Sequence, residues 1–131
     1  MTLSVDVYVH RAEGGIEVLD VPPGCSDAAG WEHWRTEVWG SAPVRSLGAR
    51  LLPRLATEDL AVAPDEVSAL IDECDLVRTH LERIVEHLRE GPGTGPRKSP
   101  AEHADDVSQR LDNIVDAARR ALDVGGGVII W

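Results

Sequence analysis

Across residues 64–88, apolar side chains recur in steps of three and four. Val67, Leu70, Cys74, Val77, Leu81, Ile84 and Leu88 fall on one stripe of a helix, and Ile71 and Val85 widen it to a core-facing surface. Near the N-terminus the period changes to two. Leu3, Val5, Val7 and Val9 alternate with Ser4, Asp6, Tyr8 and His10, which predicts a strand with one buried face. Gly14-Gly15 supplies a turn and residues 16–21 return as a second strand, so residues 3–21 read as a hairpin closed by Pro22-Pro23-Gly24. Ser26 or Asp27 can cap a helix starting near Ala28, on which Trp31, Trp34 and Val38 share a face. Pro43 suits the first turn of a further short helix, and Pro53 ends or bends it. Residues 60–62 suggest a short edge strand.

Ser99-Pro100-Ala101-Glu102 is a capping box with proline at the first helical position. Behind it Ala104, Val107, Leu111, Ile114, Ala118 and Ala121 form a second long stripe, and its small residues complement the bulky one at 64–88. An antiparallel helical hairpin follows. Gly125-Gly126-Gly127 stops the second helix, and Val128 to Trp131 is apolar enough for a strand that joins the N-terminal hairpin. Residues 90–98, rich in glycine and proline, predict a flexible connection. The expectation is one α+β domain over residues 1–131: a small antiparallel or mixed sheet, made of the hairpin and the C-terminal strand, with helices covering one face.

Composition narrows the function classes. The net charge of −10 opposes nucleic-acid binding, which needs a basic face, and suits a basic protein partner. No apolar run is long enough to cross a membrane, and the N-terminus, with Asp6 in its apolar stretch, is not a signal peptide. Two cysteines make no disulfide framework, and a cytoplasmic protein with free thiols is the expectation.

Candidate chemistry is sparse. The triple glycine follows a helix and precedes a strand, the reverse of a phosphate-binding loop. Cys25 and Ser26 sit before the helix expected at Ala28, but no base is assigned to activate them, and Ala28 occupies the second glycine position of a nucleophile elbow. His80 and His87 lie seven residues apart, about 10 Å of helix rise, too far to share a metal. The carboxylates are scattered over solvated helix faces. No catalytic residue, metal or cofactor is therefore expected.

One region differs. Residues 31–54 hold three of the four tryptophans with Arg35, Arg45, Arg50 and Arg54, against two acids, Glu32 and Glu37. Tryptophan and arginine dominate binding hot spots, so Trp39 and these four arginines form the candidate partner- or ligand-binding surface, with Trp31 and Trp34 assigned to the core. The plainer alternative is three core tryptophans with arginines pairing nearby acids.

Val38-Trp39-Gly40-Ser41, residues 116–121 (DAARRA) and residues 125–131 (GGGVIIW) resemble segments of a set of short acidic actinobacterial proteins. Twelve arginines against one lysine fit such a GC-rich bacterial source. The resemblance implies no activity and transfers no functional residue. The leading expectation is a non-enzymatic protein-binding module, an inhibitor of the immunity type acting on a basic partner. The alternatives are a small-molecule or anion binder using Trp39, Arg45 and Arg50, and a homo-oligomeric structural protein, a homodimer being the simplest case.

Overall fold

The structure, a computed structural model, describes residues 2–90 and 98–131. All but the two ends of the connection expected at 90–98 lies outside the described residues. Five strands form one antiparallel sheet: β1 (Thr2–His10), β2 (Ile16–Val18), β3 (Ala28–Trp31), β4 (Leu60–Val62) and β5 (Gly127–Ile130). The order is β2-β1-β5-β4, with β3 also on β1. The helices are α1 (Ala42–Ser46), α2 (Val67–Thr79), α3 (Leu81–Glu90) and α4 (Pro100–Val124). They cover one face of the sheet, which makes this an α+β fold.

Alternation along β1 decides which face is covered. Leu3, Val5 and Val7 are buried, and their neighbours across the sheet, Val128, Ile130, Leu60 and Val62, are buried with them. Against this layer α4 lays Val107, Leu111, Ile114, Ala118 and Ala121. Its start is the expected capping box: Ser99 Oγ accepts from the Glu102 N–H, and the Glu102 carboxylate accepts from the Ser99 N–H. Its end is Gly125, left-handed at φ 67°, a conformation that costs glycine little.

Two expectations are corrected. The segment 64–88 is not one helix. A short 3-10 turn (Pro64–Glu66) precedes α2, and His80, at φ −111°, separates α2 from α3. The His80 ring nitrogen Nδ1 sits 3.1 Å from the Leu76 carbonyl oxygen, so a side chain competes there for a helix carbonyl. The apolar stripe nevertheless continues across the break, through buried Val77 and Ile84. Similarly, no helix starts at Ala28. Residues 28–31 form β3 on β1, and a five-residue π-helical turn follows at Arg35–Trp39. Gly30, at φ +115°, makes this path feasible: a Cβ there would lie 2.5 Å from the Trp34 ring.

Tyr8 pins the far edge of the sheet. It points to the open face, lies across Gly127 of β5, and donates its hydroxyl to the Val62 carbonyl of β4 at 2.9 Å. Burial, then the charges of Glu66 and Asp65, raise its pKa. A Cβ at Gly127 would meet the Val62 carbonyl at 2.3 Å and the Tyr8 ring at 2.4 Å. Gly127→Ala should therefore cost about 2–4 kcal/mol, read from denaturant midpoints, because both obstacles belong to the sheet itself. An unchanged midpoint would mean that both the Tyr8 ring and the β4 backbone at Val62 give way at little cost.

Candidate functional site

The Trp/Arg region folds into a compact corner. Trp39 is the innermost ring, fully buried, its indole N–H donated to the Ala29 carbonyl at 2.9 Å. Trp34 meets it edge-on at 5.7 Å and stacks on Trp31 at 6.1 Å. Trp31 is the outermost, 39% exposed. The expected order is thus reversed: Trp39 belongs to the core and Trp31 reaches the surface. The reason is backbone path, because a strand at 28–31 turns Trp31 outward where a helix would have turned it in.

Arg35 is committed internally. Its guanidinium donates to Glu32 and Asp59, each at 2.6 Å, and to the Leu55 and Glu58 carbonyls. Burial works against its charge, but the hydrogen bonds to Asp59 and Glu32 outweigh it and raise the pKa. Arg35 thus ties the π-helical turn to the loop before β4. Arg45, Arg50 and Arg54 are exposed. The cation beside the tryptophans comes from elsewhere: Arg110 of α4 stands 4.8 Å from the Trp31 ring centroid and 5.8 Å from that of Trp34. Such stacking holds a cation over the negative face of the rings. No local pattern in residues 31–54 could have revealed Arg110, which is distant in the chain. An anion site built on Trp39, Arg45 and Arg50 has no Trp39 at its surface.

Glu73 carries out a task that the sequence did not announce. It sits on α2 with its carboxylate buried, accepting from the Arg50, Leu51 and Leu52 N–H groups at 2.7–3.1 Å. Those amides open the 3-10 turn at Leu52–Ala56, so a distant side chain caps it. Next to it Cys74 is fully buried. Burial, then the charges of Glu73 and Asp75, push its thiol up to about 12, so it stays protonated and unreactive. Cys25 is exposed, and both cysteines are free.

The outer surface of the helix layer is where charge collects. On α4 the exposed positions Asp105, Gln109, Asp112, Asp116, Arg119 and Asp123 follow steps of four and three, opposite the buried stripe. Between α2 and α4 opens a cleft of about 420 Å³ lined by Asp75, Arg78, Val115 and three of these residues, Asp112, Asp116 and Arg119. Arg78 donates to Ser108 Oγ at 3.0 Å and to Asp112 at 2.6 Å. Asp75 shares the cleft with Asp116 and Arg119, further along α4, so the two helices run antiparallel as expected. The spacing of these acids is visible in the sequence. Their convergence with Asp75 is not.

The open face of the sheet mixes polar side chains of β1, Ser4, Asp6 and His10, with apolar ones from its neighbours. Val18 stands opposite Tyr8, Ile16 opposite His10, and Ile129 opposite Asp6 and Ala61. Trp131 continues β5 through two backbone bonds to Ser4 and donates its indole N–H to Asp6 Oδ2 at 2.9 Å. Exposure there is high for such side chains: 45% for Ile16, 38% for Val18 and 44% for Trp131.

Among the described residues no cluster of three or more His, Cys, Asp or Glu is arranged to hold a metal, and no helix is long and apolar enough to cross a membrane. Comparison with protein-family models, with curated proteins and with solved structures returned no match.

Proposed function

We propose that the chain is a non-enzymatic protein-binding module that captures a basic partner, as inhibitors of the immunity type do. The observation that supports this reading is the acidic outer face of the helix layer. The α4 stripe presents four aspartates to one arginine, and the cleft of about 420 Å³ beside it adds Asp75 next to Asp116, with Asp112 paired to Arg78. A field of that sign raises the rate of encounter with a cationic surface and rejects acidic ones. The same reading puts the chain in the cytoplasm, in keeping with the free thiols of Cys25 and Cys74.

Co-purification from its own cells at low salt, alongside the product of the neighbouring gene, tests it. A basic protein should be retained, with an association rate that falls steeply as salt is added. Replacing Asp105 and Asp116 by asparagine should slow association about threefold to tenfold and leave the dissociation rate nearly unchanged, since exposed charges act on encounter more than on residence. Retention of no basic protein, or an on-rate indifferent to salt, sinks the proposal.

A further inference from the structure

The hairpin of β1 and β2 outruns the layer that supports it. Pairing of β1 with β5 stops at Tyr8 opposite Gly127, whereas β2 follows β1 on to His10. Residues 10–18 are all exposed. Leu19 donates its N–H to the Val7 carbonyl and Arg11 donates to the Gly15 carbonyl, so the odd-numbered residues of this strand bond inward to β1. Alternation then turns the N–H and C=O groups of Ile16 and Val18 to the outer edge. Among the described residues no backbone partner meets them there. The neighbouring edge strand is different: the Ala28 and Ala29 carbonyls of β3 accept from the Asn113 amide and the Trp39 indole, each at 2.9 Å.

We infer that the outer edge of β2 accepts a short extended segment of another protein as an added strand, one with a basic side chain at its centre and an apolar side chain on either side of it. This edge owes nothing to the α4 stripe and stands apart from the capture of a basic partner proposed above.

The backbone sets the conformation of the occupant. Donors and acceptors spaced along one edge are satisfied together by another extended chain. Cross-strand pairing sets its side chains. Ile16 and Val18, 45% and 38% exposed, stand on the same side of the sheet as Tyr8 and match apolar neighbours on an added strand. Glu17 stands on the other side, beside Val9. Arg11 lies 3.6 Å from it, but both side chains are half exposed, so the pair is loosely held and yields readily to an incoming cation. Over residues 10–20 the acids Glu13, Glu17 and Asp20 outnumber Arg11. A second copy is the wrong occupant. Antiparallel pairing of two such edges sets Glu17 against Glu17 at the centre, and like charges directly opposite destabilise a sheet.

Amide NMR of the full chain tests this, with a synthetic peptide that carries valine on either side of a central lysine and threonines beyond. The Ile16 and Val18 amide resonances should move most and their hydrogen exchange should slow, while the amides of α4 stay in place. Changing the peptide's lysine to glutamate should weaken binding about threefold or more, and Glu17→Lys should reverse that preference. Val18→Pro removes an outward N–H and leaves the bonds to β1, so it should abolish peptide binding with little change in melting temperature. Should that variant melt early, the reversal by Glu17→Lys decides alone. Equal binding of the two peptides, shifts on α4 in place of β2, or no binding up to millimolar peptide would each overturn the inference. Shifts at Ile16 and Val18 that follow protein concentration with no peptide present would overturn it too, by making a second copy the occupant. The probe reads the sheet edge and α4 separately, so failure here leaves the proposed function untouched.

Discussion

Removing residues 126–131 is expected to abolish the cooperative melting transition. The segment holds β5, which lies between β1 and β4 and, among the described residues, is the sole strand paired with β4. Its loss takes Val128 and Ile130 out of the core, each worth about 1.5–3 kcal/mol of burial. It also strips the hydrogen-bond partners from one edge of β1 and from β4, and removes the glycine against which Tyr8 packs. Together these losses match the whole stability of an ordinary domain, about 5–15 kcal/mol. Near-ultraviolet circular dichroism and a thermal melt check it. A truncated chain that melts at the temperature of its parent would mean that β5 contributes little to the core.

Glu73→Ala should be the most damaging single truncation of a polar side chain, at about 3–5 kcal/mol. It leaves the Arg50, Leu51 and Leu52 amides facing a buried gap without an acceptor, and hydrogen bonds to a charged group are the strong kind. Glu73→Gln keeps one carbonyl oxygen in place, so a smaller loss of about 1–2 kcal/mol is expected. Urea unfolding of both variants measures the pair. Equal losses would show that the charge and the second oxygen contribute nothing, and that filling the space is the whole of the role.

The elements that could be read from the sequence are those whose signals are local. The capping box at Ser99, the glycine stop at Gly125, the alternation of β1 and the apolar run of β5 each state their structure within a few residues. The helical stripe at 64–88 also stands, since its apolar positions do face the core, but nothing in Arg78-Thr79-His80-Leu81 marks a break as glycine or proline would. What the sequence hid depends on distant partners. Residues 28–31 become a strand because β1 offers them an edge, and that pairing reverses the burial of Trp31 and Trp39. Glu73 looks like one more acid on an amphipathic helix until the backbone at 50–52 is folded against it. Arg110 likewise joins the tryptophans only in three dimensions. Of the candidate surface at residues 31–54, Arg45, Arg50 and Arg54 are exposed as a contact surface requires, Trp39 is not, and Arg35 is spent on the fold.

The register of β1 on β5 pairs Val5 with Ile130. Closing a loop that spans nearly the whole chain exacts its entropy before any of the sheet's hydrophobic burial is gained. Helices α2, α3 and α4 can flicker into being on their own timescale, but the platform they rest on must wait for that encounter. A molecule with so much helix should therefore fold more slowly than a helical bundle, and its unassembled intermediates should carry bare strand edges for longer than their helical content would suggest.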